Sequence, residues 1–335
     1  MSTPSRSSLP RHWLVTGGCG FIGSSLVARL RREAPEARIR VLDDLSVGTP
    51  GALGLSDGDV RDAPGDWEDA VEIVRGDIRD ADACRAAARG ADAIVHLAAN
   101  TGVAPSVADP RTDCITNVVG TLNMLEAARA AGDGIRFVMA SSGAPVGEVE
   151  PPIHEELAAK PVSPYGASKL AGEGYCSAYA RTFGVGTVAL RFGNVYGPNS
   201  GHKSSAVARF CDAIVRGEGI EIYGAGTQTR DFIYIDDLTD AIMAGTAVDG
   251  AAGEIFQIAT ARETTVNEIV DKLVAMAEAR GLAVPPVERA APRLGDVARN
   301  FSDTRKARER LGWQAQTTLD EGLARTLDWF VARGA

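Results

Sequence analysis

Tyr165 and Lys169 stand four residues apart in Ser163-Pro164-Tyr165-Gly166-Ala167-Ser168-Lys169. The segment reads as a helix start, with Ser163 as cap and Pro164 at the first helical position, so the two side chains share one face a turn apart. A phenol ionises near pKa ~10, too high for a base at neutral pH. A neighbouring ammonium and the positive end of a helix both favour the phenolate. Ser141-Ser142 closes an apolar run, and a hydroxyl there can hydrogen-bond a reacting oxygen and share its proton with Tyr165. A Tyr-x-x-x-Lys pair by itself is also an ordinary surface turn of helix; its weight comes from what precedes it.

What precedes it is Val15-Thr16-Gly17-Gly18-Cys19-Gly20-Phe21-Ile22-Gly23, which follows an apolar strand and opens an amphipathic helix. Gly17, Gly20 and Gly23 then have separate tasks: a tight turn, backbone approach to a pyrophosphate, and close helix-strand packing, with the helix N-terminus facing the anion. Asp43 ends the next strand, twenty residues beyond Gly23, where a carboxylate accepts hydrogen bonds from adenosine ribose hydroxyls and repels a 2′-phosphate. The loop after Asp43 has no arginine, which points to NAD rather than NADP as cofactor. The positive charge of NAD⁺ would join those that favour a Tyr165 phenolate. In Gly76-Asp77-Ile78, Asp77 is placed either at the adenine edge or, with Asp80, in a turn and helix cap. In His96-Leu97-Ala98-Ala99, Leu97, Ala98 and Ala99 let the nicotinamide half lie close to backbone, and His96 reads as a hydrogen-bonded core residue.

These residues need a scaffold that aligns strand ends. Trp13 to Thr16, Ile39 to Asp43, Ala93 to Leu97, Arg136 to Ala140 and Thr187 to Phe192 read as buried parallel strands, alternating with helical patterns. The fold class is α/β, a doubly wound parallel sheet of Rossmann type with a smaller, discontinuous substrate-binding domain. Residues 12–192 with about 231–260 form the NAD-binding domain, and about 193–230 with 261–330 the second, loop-rich one. A helix from Asp236 and a strand Glu254 to Ile258 return to the sheet, and 1–11 is a flexible tail.

Among 335 residues there are 35 basic and 44 acidic side chains, a formal net charge of −9, which disfavours a nucleic-acid or anionic-lipid surface. No apolar run approaches the ~18 residues of a spanning helix, and the first eleven residues lack an apolar leader core, so the expectation is a cytoplasmic protein with no membrane partner. Five scattered cysteines and four histidines offer no disulfide framework or metal-ligand spacing.

From Trp13 to about Trp329 the chain resembles the extended short-chain dehydrogenase/reductases, and within them the NAD-dependent nucleotide-sugar epimerase/dehydratase group of the UDP-glucose (UDP-galactose) 4-epimerase type. The resemblance is carried by Thr16 to Gly23, Asp43, His96 to Ala99, Asn117-Val118-Val119-Gly120-Thr121, Ser141-Ser142, Tyr165 to Lys169, Arg191 to Pro198, Arg230-Asp231-Phe232 and Gly295-Asp296. It implies Ser142, Tyr165 and Lys169 as the catalytic trio and Asn117 as a cofactor-site residue. It further implies Asn194, Arg230 and Arg293 as diphosphate contacts, Asp296 near the nucleotide ribose, and a homodimer through helices near 116–131 and 165–182. Guanidinium forks suit phosphate oxygens, although each arginine also has a reading as a surface ion pair.

Dehydratases of that group carry Asp-Glu directly after the residue aligned with Ser142, and decarboxylases a Glu one further on; this chain has Gly143-Ala144. Expelling water needs a placed acid. The implied activity is therefore 4-epimerisation of a UDP-sugar through a transient 4-keto intermediate. A 4-keto reductase, a dehydratase or decarboxylase of the same group, and a non-catalytic NAD-binding regulator are the rivals, the last having no need of the trio. Pro145-Val146 replaces the family's usual Val-Tyr. Asn300 occupies a position where glucose-restricted members carry Tyr, which leaves UDP-N-acetylhexosamines and a uronic acid as candidates beside UDP-glucose.

Overall fold

The structure, a computed structural model, describes residues 9–201, 205–292 and 297–334. Its first half runs β1 (His12–Thr16), α1 (Phe21–Glu33), β2 (Arg38–Asp43), β3 (Val60–Arg61), β4 (Val71–Arg75), α2 (Ala81–Ala88), β5 (Ala93–His96), α3 (Val103–Ala108), α4 (Pro110–Cys114), a π-helical turn Ile115–Val119, α5 (Gly120–Ala131) and β6 (Arg136–Ser142). The second runs α6 (Pro164–Phe183), β7 (Gly186–Phe192), β8 (Asn194–Tyr196), α7 (Ala206–Arg216), β9 (Ile220–Tyr223), β10 (Thr229–Arg230), β11 (Phe232–Tyr234), α8 (Ile235–Ala247), β12 (Glu254–Ile258), β13 (Thr264–Thr265), α9 (Val266–Ala279), β14 (Val287–Ala290) and α10 (Leu319–Gly334).

Eight strands form one parallel sheet in the order β12-β7-β6-β5-β1-β2-β4-β3. Successive side chains point to opposite faces, and both faces are buried. Leu14, Leu42, Ile94 and Phe137 meet Cys84, Leu125 and Cys176 of α2, α5 and α6 on one side. On the other, Val15, Val41, Val95 and Val138 meet Leu26, Leu30, Leu238 and Ile242 of α1 and α8, and this core continues to Ile214, Leu273 and Leu327. The expected return of Glu254 to Ile258 occurs: β12 pairs with β7 from Glu254 opposite Val188 to Ile258 opposite Phe192.

Two features differ from the sequence reading. β4 was not among the strands read from the sequence; its Glu72 is buried by an ion pair with the equally buried Arg40. The second part of the chain is richer in helix than its Gly, Asn and Ser content suggested. In α7, Val207, Phe210, Cys211 and Ile214 make a buried stripe, and α9 and α10 pack in the same region. No helix among the described residues is long and apolar enough to cross a membrane.

Candidate active site

A cleft of about 710 Å³ runs along the C-terminal ends of the sheet strands, from Asp43 and Asp77 past the glycine loop to Ser142, Tyr165 and Lys169. The strand order reverses at β1, between β2 and β5, which is where open α/β sheets hold ligands.

Gly17 has φ +67°, and a Cβ there would lie 2.8 Å from the Ala98 nitrogen, so the turn can rest on the end of β5 only as glycine. A Cβ at Gly23 would lie 2.4 Å from the Gly17 carbonyl oxygen, which is how closely α1 seals against the turn. At Gly20 the nearest such atom is the Gly17 oxygen at 3.3 Å, leaving its backbone open to the cleft. No side chain caps α1. Its first-turn N–H groups are thus available to an anion, with Phe21 and Ile22 lining the wall beside them.

Asp43 ends β2 almost wholly buried; Oδ2 accepts from the Cys19 nitrogen at 2.9 Å and Oδ1 from the Leu45 nitrogen at 2.9 Å. Burial raises its pKa, and the two N–H donors oppose the rise. Each oxygen retains a lone pair for a hydroxyl. Asp77 lines the same end, but its carboxylate is engaged locally: Oδ1 accepts from the Arg79 nitrogen at 2.8 Å, and Oδ2 binds the Arg79 guanidinium, with Nε at 2.7 Å. The Arg79 pairing is the main cause of its lowered pKa. Asp80 caps α2. Arg79 corrects one expectation, since an arginine does reach this end of the cleft, from a different loop. Ile78, Leu97, Ala98 and Ala99 line the middle. Behind them, His96 is buried between Thr16 Oγ1 (2.9 Å) and Thr121 Oγ1 (3.1 Å), and burial pushes its pKa down to about 3.

At the other end Ser163 caps α6, accepting from the Gly166 nitrogen at 3.1 Å, with Pro164 at the first turn. Tyr165 and Ser142, the latter at the end of β6, line the cleft together, and the Ser142 hydroxyl accepts from the Ala144 nitrogen at 3.2 Å. Lys169 is buried, its Nζ donating to the Ala140 carbonyl at 3.0 Å and standing 5.9 Å from the centre of the Tyr165 ring. Burial pushes the Tyr165 phenol up to about 12, against the pull of Ser142, and brings Lys169 down to about 8. The expectation that a neighbouring ammonium would set the phenol low is thus outweighed by desolvation. Beneath this pair, Glu173 accepts from Arg191 Nε and Nη2, each at 2.7 Å, and from the Ser141 hydroxyl at 2.6 Å, joining α6 to the ends of β6 and β7.

Asn117 is not in the cleft wall. Its Oδ1 accepts from the Asn100 nitrogen at 2.8 Å, and its Nδ2 donates to the Asn100 carbonyl, Asp113 Oδ1 and Ser168 Oγ. Sequence reasoning missed Asp113: it is buried, with Oδ2 lacking a hydrogen-bond partner among the described residues. Asn194 sits between Gly193 and Val195, which do line the cleft. Arg230 donates to the Thr229 and Val297 carbonyls at 2.6 and 2.7 Å. Its neighbour Asp231 accepts from Thr260, Ala261 and Ser302, fixing the segment that carries Asn300. Asn300 Nδ2 lies 4.0 Å from where a Cβ at Gly143 would sit, beside Ser142. Pro145 and Val146 are buried rather than facing the cleft. Arg293, Asp296 and Lys203 lie outside the described residues.

A glycine cradle at a helix N-terminus, a buried carboxylate at one end and a Tyr-Ser-Lys group at the other fit an extended dinucleotide. The comparisons agree. The model of the "NAD dependent epimerase/dehydratase family" matches residues 13–259. A UDP-glucose 4-epimerase of Mycolicibacterium smegmatis is 39% identical over 95% of this chain and 97% of its own. A dTDP-glucose 4,6-dehydratase of Streptomyces antibioticus is 35% identical over 95% and 91%. The crystal structure of UDP-glucose 4-epimerase from Thermotoga maritima with UDP-glucose superposes with a TM-score of 0.84 at 33% identity, covering 96% of this chain and 99% of that one.

Proposed function

Because the chain belongs to the NAD-dependent epimerase/dehydratase family, we propose that it is a UDP-sugar 4-epimerase. The observation that carries the choice within the family is the group Ser142, Tyr165 and Lys169 at the end of the cleft, followed by Gly143-Ala144 where expulsion of water would require an acid. In this reading residues 12–192 with about 231–260 hold NAD, and about 193–230 with 261–330 hold the UDP-sugar, in a cytoplasmic homodimer. The exposed Ile115 and Val119 before α5, and Tyr175 and Phe183 on α6, support that pairing face.

Tyr165 takes the proton of the 4-hydroxyl while Ser142 hydrogen-bonds the same oxygen. Bound NAD supplies the two-electron acceptor that removes hydride from carbon 4 and later returns it. Asn194, Arg230 and Arg293 hold the diphosphate while the 4-keto sugar turns, and Tyr165 delivers its proton to the opposite configuration. Lys169 supports the Tyr165 charge and positions the nicotinamide ribose; Gly17, Gly20 and Gly23 admit the pyrophosphate, and Asp43 accepts from the adenosine ribose. Incubation with a panel of UDP-sugars, with C4 epimers resolved by NMR, should show interconversion and no net consumption of reduced cofactor. A 4-keto-6-deoxy product, or stoichiometric NADH use, would replace this reading.

The cofactor end yields a second expectation. A 2′-phosphate would meet Asp43 and Asp44, and Arg79 is already neutralised by Asp77. NADP should bind at least about tenfold more weakly than NAD, and titration calorimetry giving equal affinities would refute it. The sugar end yields a third. Since Asn300 faces Gly143 next to Ser142, Asn300→Tyr should cut kcat/KM for N-acetylated UDP-hexoses by roughly ten- to a hundredfold, the usual cost of overpacking, and spare simple hexoses. Equal losses on both substrate types, or none, would mean that position 300 is not the gate.

A further inference from the structure

A buried ammonium needs a nearby negative charge, because desolvation favours its neutral form. Lys169 is 4% exposed, and its one hydrogen bond among the described residues goes to the neutral Ala140 carbonyl. Two buried carboxylates act on its charge, Asp113 ahead of Glu173. Glu173, one turn further along α6, is matched by Arg191 Nε and Nη2 and by Ser141. Asp113, from α4, is 1% exposed and has no cation hydrogen-bonded to it: Oδ1 accepts from Asn117 Nδ2 at 2.9 Å, and Oδ2 has no hydrogen-bond partner among the described residues. The same Asn117 nitrogen donates to Ser168 Oγ at 3.1 Å, which ties the Asp113 carboxylate to the residue preceding Lys169.

The other titratable groups that face Lys169 carry no charge near neutral pH. Tyr165 and Cys176, on α6, are both raised by burial, and His96, on β5, is held neutral.

We propose that Asp113 is the counter-ion of Lys169, a positioning residue that keeps the ammonium charged inside the protein and acts on the Tyr165 proton through it. The proposal rests on the reading of Tyr165 and Lys169 as the catalytic pair. Burial lowers Lys169 to about 8, and Asp113 is the strongest of the influences that hold it up. The same carboxylate raises Tyr165. Removing its charge therefore lowers both pKa values, so a bell-shaped pH profile should slide to lower pH as a whole instead of shrinking in place.

Asp113→Asn keeps the shape of the side chain and an oxygen for Asn117. The chain has five lysines, so ¹³C-lysine labelling with Lys169 assigned through Lys169→Arg gives its titration directly. In Asp113→Asn the Lys169 proton should be held about tenfold more weakly, a titration about one unit lower, and the alkaline limb of kcat should follow. An unmoved titration, or a loss of kcat uniform in pH, would overturn the proposal.

A second pair of variants tests the same coupling without turnover and does not depend on Asp113→Asn folding alone. Lys169→Met would leave the buried Asp113 carboxylate without a cation, which costs folding stability. The double variant Lys169→Met, Asp113→Asn should melt higher than Lys169→Met at pH 7, with the gap closing toward pH 4. A double variant no more stable than the single one would also overturn the pairing. If instead Lys169→Ala kept normal turnover, the catalytic reading would fail, while the titration and the melts would still report on the pair.

Discussion

Tyr165→Phe should turn over about a thousandfold more slowly than the parent protein, within the range usual for loss of a general acid-base, while folding normally and binding NAD. The phenol lines the end of the cleft with Ser142, and phenylalanine removes only its oxygen. Lys169→Ala should act in the same direction. The parent profile should also carry a sign. Burial pushes Tyr165 up to about 12 and Lys169 down to about 8. Turnover should rise with pH as the phenolate becomes accessible, then level or fall as Lys169 loses its proton above about 8. Steady-state kcat from pH 6 to 10 measures both effects. Tyr165→Phe with near-normal kcat would remove Tyr165 from the mechanism.

Arg191→Met should cost about 3–5 kcal/mol of folding stability, the usual penalty for stranding one member of a buried ion pair. Arg191 and Glu173 are 2% and 1% exposed, and the arginine meets the two carboxylate oxygens with Nε and Nη2. The variant leaves Glu173 with the Ser141 hydroxyl alone, four residues from Lys169 on the same helix face. Glu173→Gln added to Arg191→Met should restore part of the stability, because a neutral amide loses less on burial than a carboxylate. Urea unfolding of the single and double variants decides it. A loss below about 1 kcal/mol in Arg191→Met would mean that the pair is balanced by its own desolvation.

The sheet was legible where a strand is mostly apolar, as in Trp13 to Thr16 and Arg136 to Ala140, and β4 was missing from that reading; its Glu72 looks like a surface residue until Arg40 is placed against it. The stripe of α7 was present at Val207, Phe210, Cys211 and Ile214, but the surrounding Gly, Asn and Ser concealed it. Short-range spacing was informative: the glycines at 17, 20 and 23 and the pair Tyr165 and Lys169 lie along one cleft. Long-range partners were not. Arg79 is 36 positions from Asp43, and nothing local says that it arrives at the same end of the cleft. The phenol shows the same limit in its energetics, since charges can be counted from residue types whereas desolvation depends on how deeply the chain buries them.

The π-helical turn Ile115–Val119 makes one continuous stretch of helix answer to two directions. Upstream of it, α4, which carries Asp113, packs against α6; within it, Asn117 bridges to Asn100 and Ser168; downstream, Met124, Leu125 and Ala128 lock into the sheet. An α-helix advances about 100° per residue, so a uniform helix could not keep both sets in phase with their targets. The consequence concerns chain length rather than chemistry: removing one residue between Cys114 and Gly120 would regularise the helix and swing everything before the cut about a quarter-turn or more around its axis. The sheet would keep its lining while Asp113 lost its aim. A stretch in which point substitutions can be repaired by repacking is, for this reason, one in which a single deletion cannot be.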